Sequence, residues 1–491
     1  MWKIVPLAAI AGWIASGDWL AGLSLGALAL PWVLLQADEG PPVLALACTM
    51  QWVSCSIGFF YFLITGRPLD ATIYSDYRTM VMLGLGCVVA MTVGLWLGRM
   101  LIERTLRPVQ GIRPAYALSF KTLVLVYIVG TASLGAIMKL AGEYDGLAQA
   151  IFAMSYLRYG LLYLIFRRLV ARGEWYYVAA VLVVEVVLGI SGFYAGFREP
   201  LIMAVLAFLE FFDRKKAMHW ATIGALGAVM ATLGIVWIGV RTDYRARWLE
   251  DSRFSENRGA RVELLREAVN AWANQSTEDL MLNVDRFIDR MWTIYYPALA
   301  VERVPAVLPH TGGDLMAATL KFVFEPRIFF PDKPYIKSDS EMVRKYSGVM
   351  VAGEDQNTDI AFGYAAESYI DFGVPGMFVP SFLWAFFIGV ACTVVFKEYR
   401  HRDLAISIVT VIGWLSLYLF ERSWTKTIGL GGTMLIYAGG LCYLLDRLWF
   451  EKFRTFYDAG GSFEDEENLA VVAGPESAPA IQLQPQQSHS K

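Results

Sequence analysis

Runs of about 20 apolar residues recur along most of this 491-residue chain, each long enough to cross a hydrocarbon core of about 30 Å. That recurrence constrains the fold more than any motif does. Inside lipid the backbone must satisfy its own hydrogen bonds, which leaves helices or a closed barrel. The runs do not alternate as barrel strands would. The chain therefore reads as all-α, a polytopic helical membrane protein. Composition agrees, with 56% hydrophobic and only 18% charged residues, below the quarter usual in soluble domains. A net charge of −3 gives no basic surface for nucleic acid. Cys48, Cys55, Cys87, Cys392 and Cys442 all lie in apolar runs, so neither a disulfide framework nor a CxxC metal site is expected. No metal or cofactor is expected. The first run lacks a small-residue cleavage site and reads as a retained helix rather than a removed signal peptide.

Hydropathy places about twelve spans, near 3–16, 19–36, 42–64, 79–101, 118–140, 147–169, 176–195, 199–212, 218–240, 373–396, 403–420 and 428–449. The first and eighth are short. Arginines and lysines collect at Arg99–Arg113, at Arg167, Arg168 and Arg172, at Arg214–Lys216 and at Lys397–Arg402. With twelve spans all of these loops fall on the cytoplasmic side, together with both termini. Residues 1–240 then hold nine spans and 373–450 the last three. Residues 241–372 form one large extracytoplasmic loop, expected to fold as a mostly helical cap because its apolar residues recur at helical spacing. The acidic and then Pro-, Gln- and Ser-rich stretch 451–491 reads as a disordered cytoplasmic tail.

Several polar residues stand where they are costly. Arg158 and Glu185 fall in mid-span on consecutive helices, and either pair with one another or line a polar cavity. Arg198 sits in the turn Gly196-Phe-Arg-Glu-Pro200, where a guanidinium beside a helix N-terminus suits phosphate or pyrophosphate; the alternative is an interfacial anchor. Arg241, Arg245 and Arg247 leave the ninth span on the outer face, against the positive-inside trend, and helical spacing stacks Arg241 on Arg245. In the loop, three prolines frame Arg327 and Lys333 within Phe324–Pro334, a stiff turn presenting two cations or simply capping the domain. Asp355, Asn357, Asp359 and Glu367 return toward the tenth span and could bind a glycan or accept a hydroxyl proton, unless they are merely solvated. His310 is the loop's single histidine and a minor candidate base. Asp18 alone is a weak parallel to the early acidic loop of lipid-sugar mannosyltransferases. Walker, HExxH, GxSxG and DxD patterns find no convincing context.

This constellation resembles the bacterial O-antigen and exopolysaccharide repeat-unit polymerases, relatives of the O-antigen ligases. The many spans, the large late loop and the few helices after it agree over most of the chain. Gly196-Phe-Arg-Glu-Pro200 is similar to the family's Gly-Ser-Arg turn, with Arg198 matching and Phe197 replacing the small residue. Pro326–Pro334 resembles its Pro-Arg…Pro-x-Lys-Pro element, and Glu367…Phe372-Gly373…Gly376 its loop-to-helix junction. Ligase-like members carry a His-Asn pair where this chain has Gln356-Asn357, so no catalytic histidine carries over.

The resemblance implies a multi-pass protein of the bacterial inner membrane. It would act on lipid-linked repeat units at the periplasmic face, transferring a glycan from undecaprenyl pyrophosphate. Arg198 and Arg241 would neutralise the leaving pyrophosphate; Arg245, Arg327 and Lys333 would hold a second phosphate or an acidic glycan. Asp355, Asp359 or Glu367 would serve as base, or orient the acceptor. The expected partners are the undecaprenyl-linked glycans, the lipid bilayer, and a chain-length regulator or export proteins. The alternatives are a transporting or non-catalytic component of polysaccharide export, and a ligase-like transferase.

Overall fold

Capping residues set where several helices begin. Asp18 accepts the Leu20 N–H at 2.9 Å, and Ser276 accepts that of Asp279 at 3.2 Å, each closing a helix N-terminus whose amides lack partners. The structure, a computed structural model, describes residues 2–36, 40–107, 119–143, 145–190, 196–250, 258–325, 330, 338–353 and 358–449, and their regular elements are helical. The first part comprises α1 (Ile4–Ser16), α2 (Trp19–Leu34), α3 (Val43–Thr65), α4 (Asp70–Tyr74) and α5 (Tyr77–Thr105). Then come α6 (Phe120–Glu143), α7 (Asp145–Ser155), α8 (Leu157–Ala171), α9 (Trp175–Ile190), α10 (Arg198–Glu210) and α11 (Ala217–Glu250). Helices α12 (Arg258–Ala273), α13 (Thr277–Met291), α14 (Tyr295–Arg303), α15 (Asp314–Phe324) and α16 (Asp339–Ser347) form the segment called the cap below. The chain ends its described course with α17 (Tyr364–Gly376), α18 (Phe378–Glu398), α19 (Arg402–Leu417) and α20 (Trp424–Thr433), the last running on through π-helical turns to Trp449.

Among the described residues five stretches are long and apolar enough to cross a membrane: Val43–Thr65, Tyr77–Thr105, Ala217–Arg247, Phe378–Glu398 and Trp424–Leu448. Of the other expected spans, α1, α2, α9, α10 and α19 are shorter helices of 13 to 16 residues. The window 147–169 is broken at Tyr156 into α7 and α8, and 199–212 is α10, about 20 Å long at 1.5 Å per residue. Both α8 and α10 are buried on consecutive residues, such as Pro200–Ala204 and Leu162–Val170. Their hydrophobicity therefore reflects burial in protein on every side, and hydropathy cannot tell that from lipid. The window 373–396 also begins differently, because Gly373 and Val374 leave helical geometry and separate α17 from α18. The ninth window runs on as helix through Arg241 and Arg245. The expected disordered tail lies outside the described residues.

Close backbone approach holds α5 against α18. The sequence Gly94-Leu-Trp-Leu-Gly98 puts two glycines one turn apart, and a Cβ on either would overlap the Phe382 or Phe386 carbonyl of α18. Gly389 of α18 faces the Leu95 carbonyl in the same way. The two helices run parallel, and Lys397 Nζ finally donates to the Ile102, Glu103 and Leu106 carbonyls at 3.1, 3.0 and 2.6 Å, satisfying the end of α5. At the same end of the bundle Arg167 bonds Glu210 at 2.9 Å and Asp403 at 2.9 Å, while Tyr163 Oη donates to Glu210 at 2.6 Å. These bonds lock α8, α10 and α19 together.

Cap helix α13 is pinned to α3. Arg67 and Tyr61 both bond Asp285, and Trp292 lies against Gly58 with its Nε1 donating to the Cys55 carbonyl at 2.8 Å. Two glycine substitutions test the packing. Gly98→Val is expected to cost about 1–3 kcal/mol through overpacking and to lower the melting temperature in detergent. Gly130→Val, placed in open space, is expected to leave it unchanged.

Candidate functional site

The turn between α19 and α20, residues 418–423, organises one end of the bundle. The Tyr364 N–H donates to the Arg422 carbonyl at 2.8 Å, which docks the start of α17 on the turn. Gly363, at φ +92, precedes it with a Cβ position that would overlap the Phe420 carbonyl, so this approach requires glycine. Tyr364 Oη reaches Gln51 of α3 at 3.0 Å, and its ring packs on Phe420 and Trp424. Arg422 Nη1 donates to the Leu415 carbonyl at 2.7 Å, using a cation to close the C-terminus of α19.

Arginines gather on one side of this turn. Arg198, the first residue of α10, donates to Glu199 at 2.8 Å and to Tyr418 Oη at 2.7 Å, with its guanidinium 4.8 Å from the Tyr418 ring centroid. Arg422 packs on the same ring at 5.6 Å. Arg290 of α13 grips Glu421 with two bonds, 2.5 and 2.8 Å, which ties the cap to the turn. The positive charge of Arg198 reaches Arg290, and that of Arg290, with Arg245 and Arg286, reaches Arg241. Arg245 itself stacks over Trp237 at 5.9 Å. Glu199 and Glu421 oppose Arg198, Arg241, Arg286, Arg290 and Arg422. Among the described residues no hydrogen bond or ion pair joins Arg241 or Arg286 to a carboxylate. Like charges at this density repel one another, and an anion with two or more charges would relieve them.

Deeper in the bundle, Arg158 and Glu185 do meet, at 3.9 Å. Glu185 also accepts from Tyr127 Oη at 2.6 Å, and Arg158 lies over Tyr159 at 4.7 Å. The pair braces α8 against α9, while the charge of Arg158 also reaches Glu199.

Carboxylates gather at the start of α20, around Lys426. Lys426 bonds Asp339 at 2.8 Å and also Asp359, which accepts from Ser338 Oγ at 2.8 Å. Burial raises the Asp339 carboxyl despite Lys426. Burial acts likewise on Asp359, but the bonds from Lys426 and Ser338 hold it below its ordinary value. Asp359 is thus engaged. Glu367 stands in the first turn of α17 and, among the described residues, accepts only the Trp424 N–H, at 2.9 Å, through one of its two oxygens. Protein surrounds it although its edge meets solvent, and burial pushes its carboxyl up to about 8.

His310 belongs to neither group. Its Nδ1 pairs with the Tyr369 carbonyl at 3.0 Å and its ring packs on Tyr369, a bracing role beside Gly373. Asp18 is held by Arg78 at 2.8 and 2.9 Å. Arg327, Lys333, Asp355 and Asn357 lie outside the described residues. Of the expected site residues, Arg241 and Arg245 feel one another's charge, Arg198 and Arg241 each feel that of Arg290, and Asp359 and Glu367 are linked through Lys426. Sequence reading missed Arg286, Arg290, Glu421, Arg422 and Lys426. Glu421, Arg422 and Lys426 carry a signal in hindsight: three charges within six residues, in a short turn and the helix start that follows it, between two apolar runs.

Two outcomes follow. Inorganic pyrophosphate is expected to raise the melting temperature of the purified protein, by about 2.7 kcal/mol of stabilisation at a hundred times its Kd. Arg241→Ala should weaken that effect. Glu367 ionises near 4.5 when exposed and near 8 when folded. The folded state therefore loses stability as the pH rises through that window, and Glu367→Gln should flatten this loss in a pH series of melting curves.

Comparison with curated proteins and with solved structures gives no match. Residues 104–399, more than half of the chain, match the family DUF8712, described as a domain of unknown function. They take in α6 to α18, and with them Arg198, Arg241, Arg290 and Glu367. The chain belongs to the DUF8712 family.

Proposed function

We propose that the protein polymerises lipid-linked oligosaccharide repeat units into a surface polysaccharide or exopolysaccharide, transferring the growing glycan from undecaprenyl pyrophosphate. In this reading it is a membrane glycosyltransferase of the bacterial inner membrane with about twelve crossings, some made by short helices enclosed in the bundle. Both termini face the cytoplasm. The cap and the turn 418–423 face the periplasm, where the lipid-linked substrates are displayed. A chain-length regulator or export proteins would assemble with it there.

One observation carries the reading: the succession of arginines that starts at Tyr418 with Arg198 and continues through Arg290 to Arg241 and Arg286, each within reach of the next one's charge. Glycan transfer from a polyprenyl pyrophosphate releases a dianionic or trianionic leaving group, and guanidinium groups bind such oxygens in bidentate fashion. Arg198, Arg241, Arg286 and Arg290 would stabilise the charge as the glycosidic bond to phosphate breaks. Beside the start of α20 Glu367 would take the proton of the acceptor hydroxyl. Its second oxygen and a pKa near the working pH suit a general base better than the ion-paired Asp359.

Reconstitution with undecaprenyl-pyrophosphate-linked repeat units tests this. Wild type should yield a ladder of glycans on a gel. Arg198→Ala and Arg241→Ala, if folded, should slow it by about 10²–10³-fold each, the scale of one lost transition-state donor. Glu367→Gln should slow it by about 10²–10⁴-fold, and wild-type turnover should rise with pH toward a plateau above about 8. A native repeat unit that is bound but never extended would leave export or ligation as the activity.

A further inference from the structure

Cap helix α15 carries an exposed apolar face that no other part of the proposed function uses. Leu320 and Phe324 lie on it, 39% and 73% exposed, with Ala317 one turn earlier. The opposite face packs on α20, where Thr319 Oγ1 meets Thr425 Oγ1 at 2.9 Å and Val323 lies against Gly429. These contacts advance in the same direction along both chains, so α15 runs parallel to α20. Its tip comes level with Gly429, about 7 Å past the start of α20. The stretch Trp424–Leu448 is one of those able to cross a membrane. The α20 face that α15 covers at Gly429 emerges again two turns deeper as Ile436, 69% exposed. At the other end of α15, Gly313 rests on the Phe372 ring, next to the break that leads into α18. There the exposed residues Val374, Val379 and Leu383 continue the apolar surface.

We propose that α15 is a re-entrant helix that dips into the leaflet on the cap side, with Leu320 and Phe324 in contact with lipid acyl chains. The occupant of its exposed face is the bilayer itself, because that face continues the outward surfaces of α18 and α20. Lys321, also exposed, can extend its stem along this surface and return its ammonium to the headgroups. The helix would then stand as a wall between lipid and the Lys426–Glu367 carboxylate group, since Thr425 touches α15 and its neighbour Lys426 holds Asp339. The inference needs a membrane-spanning bundle but not glycan transfer.

Nitroxide labels in lipid nanodiscs test it. The native cysteines among the described residues are buried, so Leu320→Cys and Phe324→Cys can be labelled selectively. Leu383→Cys on α18 serves as the lipid reference and Glu278→Cys on α13 as the aqueous one. Collision with oxygen should exceed collision with a water-soluble nickel chelate several-fold more at 320 and 324 than at 278, as at 383. Water-like accessibility at both α15 positions, with 383 reporting lipid, overturns the proposal. Water-like accessibility at 383 as well would overturn it together with the membrane placement of α18.

Discussion

The grip of Arg290 on Glu421 fixes the cap to the turn at one end of the bundle. It links cap helix α13 to the turn that closes α19 and opens α20. Through that turn run the docking of α17 on the Arg422 carbonyl, the seat of Arg198 on Tyr418 and the amide that Glu367 accepts. Glu421 matters doubly. It neutralises one arginine of a crowded group, and it keeps the remaining positive charge at a fixed place. Solvent reaches both side chains, so the pair adds little stability and acts chiefly by fixing where the cap meets the turn.

The short central helices set the depth of this arrangement. From Arg198 to Glu210 the axis of α10 rises about 18 Å, against about 30 Å of hydrocarbon. One end is tied by Arg198 to Tyr418, the other by Arg167 to Glu210 and Asp403. The two charged layers are therefore closer together than a hydrocarbon core is thick.

Much of this was legible in the residues, for identifiable reasons. Arg198 and Arg241 stood out because each sits at the end of an apolar run, where a charge has to be explained. Arg158 and Glu185 stood out because each is costly alone in an apolar span, and of the two readings, a pair or a cavity wall, the structure shows the pair. Arg286 and Arg290 were hidden because α13 is amphipathic, and charges on such a helix ordinarily face solvent. Only the tertiary docking of α13 beside Gly58 and Gly234 brings Arg290 to Glu421, and both arginines stay open to solvent. The all-helical fold followed from hydropathy, but the number of crossings did not, since burial among helices and burial in lipid select the same side chains. The opening of α17 ahead of the expected tenth span depended on Gly363 meeting a distant carbonyl, a contact no local pattern records.

The central claim is that the arginines around Tyr418 hold the pyrophosphate of a polyprenyl-linked glycan. Native mass spectrometry of the protein released from nanodiscs containing equal amounts of undecaprenyl pyrophosphate and undecaprenol tests it most directly. Wild type should retain the pyrophosphate lipid in preference to the alcohol, and the double variant Arg241→Ala/Arg286→Ala, folded by its melting curve, should lose that preference. Equal retention of both lipids by wild type, or an undiminished preference in the double variant, would contradict it.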